Sequence, residues 1–308
     1  MTDAPDGITY ADYLKLDDIL SAQRPLSDHH DEMLFIIIHQ AKELWMKEML
    51  HELKYASELI GQARYAEAYK AMARISRIQA VMTLSWDVLS TLTPVDYLKF
   101  RHVLGTASGF QSAQFREIEF RLGLKEPKFV DHYPEGSADR AALAAALAEP
   151  SLREAALGAL ERAGFDLGDR STEAIARAWL EVYRAPDRWF ELYELAEKLL
   201  DIDDAMVAWR QKHVLTVERI IGNKRGTGGS AGASYLRSTL EKRLFPELWS
   251  LRTDLWATRL CSREACPPIQ RGCTSPRTAT IFGRTSASRA RSRPGRTPRG
   301  WPTANGTR

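Results

Sequence analysis

A single histidine, His39, follows an almost wholly apolar run in which residues 33–38 are Met, Leu, Phe and three Ile. An imidazole buried among such side chains is costly unless its nitrogens are used. On a helix, Phe35 and His39 are four residues apart and project over the same patch. A flat aromatic ring beside one imidazole suits a planar, mostly apolar ligand with one polar edge. The alternative is a core histidine that only bonds a backbone carbonyl.

A second histidine, His213, lies in a helical stretch just before a glycine-rich segment. An imidazole on a rigid helix is a usual axial ligand of haem iron. By itself the position is a weak indication, because helical histidines are commonly ordinary surface or core residues. His213 is therefore a candidate iron ligand that the rest of the chain has to support.

Tyr97 and Arg101 are four residues apart, with Phe100 beside them, so they share one helix face. An arginine flanked by aromatic rings can clamp a carboxylate with two hydrogen bonds inside an apolar pocket. The alternative is an exposed arginine in a surface ion pair.

The glycine-rich segment 226–232 superficially matches a dinucleotide fingerprint, but it follows a helix rather than a strand. It also lacks the Gly-Lys-Ser/Thr ending of a phosphate loop. A flexible loop with one hydroxyl, Thr227, fits better as a lid that closes over a ligand. An ordinary interhelical linker is the alternative.

Metal sites built from cysteine are excluded for the first 255 residues, because all three cysteines lie beyond them. Glu48 and His51 have the spacing of a di-iron carboxylate bundle. That architecture needs a second Glu-x-x-His, and the chain has none. A non-haem metal enzyme that uses Glu48, His51 and further carboxylates remains an alternative.

The periodicity predicts an all-α fold, a helical bundle, for residues 1–255. Two long helices of about 30 residues each should lie between Leu26 and Thr93, separated by Gly61, with Ser27 or Asp28 capping the first. Further helices are expected over 7–23, after Thr93-Pro94, over 110–122, as a partly exposed pair within 139–164, over about 187–221 and around 235–243. No segment shows the alternation of a sheet.

Residues 256–308 differ from the rest, with eleven arginines, no lysine and one acid, Glu264. Such a composition predicts a disordered tail. It is either a basic nucleic-acid arm, making the chain a helical interaction protein, or the product of a lost reading frame, which we favour. The polar, acidic start is unlike a secretory or mitochondrial presequence. No apolar run approaches the roughly 18 residues that span a bilayer. We therefore expect a cytoplasmic protein that binds neither membrane nor nucleic acid.

Together these residues resemble the signature blocks of bacterial tryptophan 2,3-dioxygenases, in the family's order and over about residues 8–254. The resemblance rests on four blocks: Phe35-Ile-Ile-Ile-His39-Gln-x-x-Glu-Leu-Trp45, Phe100-Arg101-x-Val-Leu-Gly105-x-x-Ser108-Gly109-Phe110-Gln111-Ser112, Lys224-Arg-Gly-Thr-Gly-Gly-Ser230 and Phe245-Pro-Glu-Leu-Trp249. It does not cover the tail, and it is loose around 135–175.

The resemblance implies a haem b, with Fe²⁺ in the active form, held by His213 as axial ligand in a helical homotetramer. It implies that O₂ is inserted into the indole C2–C3 bond of L-tryptophan to give N-formyl-L-kynurenine, the first step of tryptophan catabolism by the kynurenine route. By motif, His39 is the distal catalytic residue near the indole N–H, as a base or as a hydrogen-bond partner only. The other implied site residues are Phe35, Tyr97, Arg101 and Thr227 for substrate, Ser108 and Gly109 near the haem, and Tyr10, Tyr13 and Leu14 from a neighbouring subunit.

Overall fold

The computed structural model describes residues 7–257, and every regular element in that range is a helix, which confirms the all-α class. The helices are α1 (Tyr10–Leu14), α2 (Leu16–Leu20), α3 (His30–Gly61), α4 (Tyr65–Leu89), α5 (Pro94–Phe100), α6 (Ala113–Leu122), α7 (Ala138–Ala148), α8 (Leu152–Arg162), α9 (Thr172–Arg184), α10 (Phe190–Ile221), α11 (Ala233–Ser238) and α12 (Pro246–Ala257). Within these residues, no helix is both long and apolar enough to cross a membrane.

Three long helices form the centre of the bundle, because α3 and α10 both pack on α4. Their contact faces bury Leu53, Ile75 and Leu199 completely. The buried amide of Gln79 on α4 donates to the carbonyl of Ile202 on α10, at 3.1 Å. Apolar burial, at about 25 cal/mol per Å², is the main contribution that holds the three helices together.

The start of α3 differs from the prediction that Ser27 or Asp28 caps it. His29 occupies the cap position and provides no side-chain hydrogen bond. Instead, buried Glu32 in the first turn accepts from the backbone amides of Leu26 and Ser27, at 2.7 and 2.8 Å. A carboxylate at a helix N-terminus is also favoured by the helix dipole.

The expected helix over 110–122 begins three residues later. Residues Gly109–Gln111 form a 3₁₀ turn whose first amide groups are capped by Ser108, and Ser112 then caps α6. Gly123 ends α6 in the left-handed conformation, as its type suggests. At the preceding boundary, Thr93 caps α5 and Pro94 opens it, as predicted.

The segment 7–23 is not the single helix that was expected. It forms two five-residue helices separated at Lys15, which adopts the left-handed conformation with φ 52° and ψ 46°. Neither α1 nor α2 buries a residue. Isolated helices this short are marginal without tertiary packing, and within residues 7–257 no buried contact of α1 or α2 stabilises a continuous helix.

The C-terminal part of the described bundle is fixed to α10 by one buried carboxylate. Asp203 accepts from the amides of Leu244 and Phe245 and from the indole of Trp249, at 2.9–3.0 Å. The alanine-rich pair is present as α7 and α8, although α8 buries more of its surface than expected. The predicted tail, 256–308, lies outside the described residues except for the backbone of its first two residues, which end α12.

Candidate functional site

A cavity lies between α3, α4 and α10, with about 1530 Å³ of empty space, part of which is open to solvent. Its walls come from the three long helices, from α5, α6 and α11, from the segment 107–112 and from the glycine-rich loop before α11. Its lining includes Phe35, His39, Lys42, Trp86, Tyr97, Ser108, Gly109, Trp209, His213 and Thr227.

His39 lies on the cavity wall with Phe35, whose ring centroid is 4.2 Å away. The Nδ1 atom of His39 is 2.7 Å from the carbonyl oxygen of Phe35. A neutral imidazole in this contact donates from Nδ1 and keeps the Nε2 lone pair for a ligand. Burial lowers the pKa of His39, which keeps the ring neutral. The two alternatives for His39 are therefore compatible: one ring nitrogen bonds a backbone carbonyl, as in a core histidine, and the other is free to bind a ligand.

His213 faces the same cavity from α10 and stacks on Trp86, with ring centroids 4.3 Å apart and an interplanar angle of 11°. Burial lowers the pKa of His213 to about 3. Within residues 7–257, no group forms a hydrogen bond with its ring. A neutral imidazole with free nitrogens is the form that binds a metal ion.

Several buried hydrogen-bond donors of the cavity have no acceptor in the part of the chain that the structure describes. They are Lys42 Nζ, Trp86 Nε1, Trp209 Nε1 and Thr216 Oγ1. Buried polar groups in folded proteins are nearly always paired, so an unpaired cluster indicates an occupant that brings acceptors.

The mouth of the cavity is closed by the glycine-rich loop. Thr227 donates its hydroxyl to the carbonyl of Ala107, and Arg101 donates to the carbonyl of Arg225 at 2.5 Å. A Cβ atom at Gly228 would lie 2.6 Å from the Cβ of Ser108, so only glycine allows this approach. The loop that was predicted as a lid thus lies directly on the 106–109 segment.

The structure brings most of the predicted site residues together. Those that line the cavity are Phe35, His39, Tyr97, Ser108, Gly109, His213 and Thr227. Arg101 is not part of the lining; it lies at the mouth, 5.9 Å from the Tyr97 ring, and bonds the loop. Tyr10, Tyr13 and Leu14 lie on the exposed surface of α1, with Tyr10 75% and Tyr13 72% exposed.

Among the lining residues that were missed from the sequence, Lys42 and Trp86 matter most for the site. Lys42 continues the helical stripe of Phe35 and His39 at the next turn, so the same spacing could have found it. Trp86 carried no local signal, because a tryptophan on an amphipathic helix is ordinary core. The alternative of a metal site at Glu48 and His51 has no support, because among residues 7–257 no three His, Cys, Asp or Glu side chains are grouped to hold a metal ion.

Comparison with known proteins identifies what this arrangement is similar to. The sequence model of the tryptophan 2,3-dioxygenase family matches residues 2–169 and 166–255. A tryptophan 2,3-dioxygenase of Caulobacter vibrioides is 57% identical over 259 residues, covering 80% of this chain and 98% of its own. One of Bacillus cereus is 51% identical, covering 82% of this chain and 95% of its own. One of Geobacillus thermodenitrificans is 49% identical with the same two coverages.

The docked loop can be tested by replacing Gly228 with alanine. The new methyl group would meet the Cβ and Oγ of Ser108, so we expect the loop to leave the 106–109 segment. Amide hydrogen exchange and proteolysis within 224–232 should then be faster, while the unfolding midpoint changes little. Adding Ser108→Gly restores the space, and the double variant should regain protection. Equal protection in Gly228→Ala and the wild type would contradict the observed contact.

Proposed function

The chain belongs to the tryptophan 2,3-dioxygenase family, and we propose that the cavity between α3, α4 and α10 is the site of that family's reaction. The chain is an oxidoreductase that inserts both atoms of O₂ into the indole C2–C3 bond of L-tryptophan, giving N-formyl-L-kynurenine, the first step of tryptophan catabolism. The observation that carries the location is that His39 and His213 line one cavity from two different helices.

The family is haem-dependent, and the residues of this cavity fit such a group. His213 offers an unbonded neutral imidazole, and the unpaired donors require acceptors such as carboxylates. We infer that haem b is held by His213 as axial ligand, next to Ser108 and Gly109. When bound, the haem supplies the iron that activates O₂, in the Fe²⁺ form.

The substrate's ring would be oriented by His39 and Phe35. The free Nε2 atom of His39 can accept the indole N–H, while Phe35 and the buried ring of Tyr97 supply apolar contact. Their own ring centroids are 6.0 Å apart, so they form one aromatic surface. A pocket of this kind is apolar with few polar anchors, which fixes orientation and excludes water.

The amino-acid end of the substrate would be bound at the mouth, by Arg101 and Thr227. Both groups now donate to backbone carbonyls, of Arg225 and Ala107. A carboxylate is a stronger acceptor than a neutral carbonyl, so it can replace those bonds. Substrate binding is therefore expected to rearrange the loop and then hold it closed.

Self-association as a homotetramer is proposed from the exposed apolar stripes of the bundle. Val81, Leu84 and Val88 follow one face of α4, and Ile37 and Leu44 one face of α3, all exposed by 43–62%. Apolar patches of this kind mark interaction sites on proteins. The exposed Tyr10, Tyr13 and Leu14 of α1 would then complete the cavity of a neighbouring subunit.

Replacing His213 with alanine tests the proposed site most directly. The change removes the only imidazole proposed to bind the iron, so we expect purified His213→Ala protein to contain little haem, with no Soret band and no turnover of L-tryptophan. His51, an exposed histidine of α3, provides the control, since His51→Ala should keep both the bound haem and the turnover of L-tryptophan. A haem-loaded and active His213→Ala protein would refute the assignment.

The role of His39 can be decided by magnitude. A hydrogen bond accepted from a neutral indole N–H is worth about 1 kcal/mol, or several-fold in rate. An obligatory general base is worth roughly 10²–10⁴-fold. Because burial lowers the pKa of His39, the ring is a weak base, and we expect His39→Ala to lose only about tenfold in kcat/KM with haem bound. A loss beyond about a thousandfold, with full haem loading and normal tryptophan binding, would make His39 the base.

The neutral form of His39 also sets a pH dependence. Since its pKa lies below the ordinary value of 6.5, the indole contact is present above that pKa and is lost as the pH falls through it. At pH 6.5 more than half of the His39 rings should therefore be neutral, and the difference in kcat/KM between wild type and His39→Ala should stay above half of its value at pH 8. A difference that is already halved at pH 6.5 would contradict the neutral assignment.

Subunit sharing predicts complementation between two impaired variants. Deleting residues 1–16 removes Tyr10, Tyr13 and Leu14 and should lower substrate affinity more than haem content. Arg101→Ala should lower kcat/KM by about tenfold or more, because a charge-assisted hydrogen bond is lost. Verified mixed oligomers of the two can combine an intact N-terminus with an intact Arg101 and should regain activity. If they regain none, each chain builds its own site.

A further inference from the structure

Lys42 is a buried lysine of the cavity wall. It lies on α3 one turn after His39, lines the cavity and is only 6% exposed. Within residues 7–257, its Nζ has no hydrogen-bond partner. The close neighbour of that atom is the face of the Trp86 ring, whose centroid is 2.8 Å away.

The surroundings of Lys42 do not compensate its charge. A cation–π contact recovers only part of the cost of removing an ammonium group from water. Burial lowers the pKa of Lys42 to about 6, so the side chain is mostly neutral at pH 7 when no counter-charge is present. A lysine retained in such a position needs a reason beyond the stability of the bundle.

The two carboxylates of the cavity wall are already used. Glu119 on α6 accepts from Arg116 at 2.6 Å and from Arg210 at 3.0 Å. Glu43 accepts from the amide of Gln114 at 2.7 Å. The wall thus leaves no free carboxylate for Lys42, and an anionic occupant would supply the missing counter-charge.

The position of Lys42 indicates which molecule would carry the anion. The lysine contacts Trp86, which stacks on His213, whereas Arg101 and Thr227 lie at the mouth. Trp86 adds its own unpaired indole N–H beside the lysine. A carboxylate in this place belongs to the group that His213 binds rather than to the amino acid at the mouth.

We propose that Lys42 binds a carboxylate on the edge of the haem and so retains the cofactor in the cavity. The inference rests on the proposed function, since it requires haem on His213. It assigns Lys42 a binding role without a part in the reaction. The Lys42 ammonium gains a charged acceptor, and the haem gains a charge-assisted hydrogen bond in a desolvated place.

The test compares haem retention in Lys42→Met, which keeps the length of the side chain and removes its charge. Lys47→Met is the matched control, because Lys47 is an exposed lysine of the same helix. Each protein is loaded with iron protoporphyrin IX or with its dimethyl ester, which lacks the two carboxylates. The measurement is the rate of haem transfer to excess apomyoglobin, followed by the Soret band.

We expect wild type and Lys47→Met to release the dimethyl ester about tenfold or more faster than the free acid. Lys42→Met should release the free acid about tenfold or more faster than wild type and should no longer distinguish it from the ester. Wild-type release and wild-type discrimination in Lys42→Met would overturn the proposal and leave haem binding by the chain untouched.

A second arm separates the two carboxylate sources. The affinity of haem-loaded Lys42→Met for L-tryptophan and for tryptamine, which lacks the carboxylate, is measured from the spectral change on binding. Unchanged affinities support the haem edge as the partner. If haem release stayed as in wild type and only L-tryptophan bound more weakly, the partner would be the substrate's carboxylate and the proposal would be wrong. A wild-type protein that takes up no haem would instead refute the proposed function itself.

Discussion

The packing of α3 and α10 against α4 is the constraint on which the site depends. His39 and His213 belong to helices that are far apart in the chain, and α4 is the helix that both contact. The buried bond from Gln79 to the carbonyl of Ile202 fixes the register of α10 on α4. Because both helices are rigid and long, the distance across the cavity is determined by their cores rather than by the loops at its mouth.

The cavity itself works against the stability of the bundle. Its unpaired donors and the desolvated ammonium of Lys42 are groups that an apolar side chain of similar volume would replace at a gain in stability. Proteins hold such strain where function requires it, and stability is recovered elsewhere. Here the stability lost at the cavity is offset by the fully buried faces of the long helices and by Asp203, whose carboxylate accepts three hydrogen bonds.

Much of the fold and site could be predicted from the sequence, for reasons that are local. The boundary at Thr93-Pro94 and the spacing of Phe35 and His39 follow from helix geometry alone. The position of Arg101 could not be predicted, because its guanidinium bonds the carbonyl of Arg225, a residue from a distant loop. The break at Lys15 was missed for the opposite reason: periodicity predicts a helix, but no residue of α1 or α2 is buried in the described chain, so packing does not stabilise a continuous helix there.

The hydrogen-bond donors in the interior of the cavity and those at its mouth differ in whether they are already paired. In the interior the donors are unpaired, so an occupant adds hydrogen bonds without breaking any. At the mouth Arg101 and Thr227 are already paired with backbone carbonyls, so a ligand must exchange bonds rather than add them. Exchange has a small net free energy, and it is favourable only when the new acceptor is stronger than the old one, as a carboxylate is. The interior is therefore suited to retain a resident group tightly, whereas the mouth is suited to admit and release a substrate while rejecting analogues that lack a carboxylate.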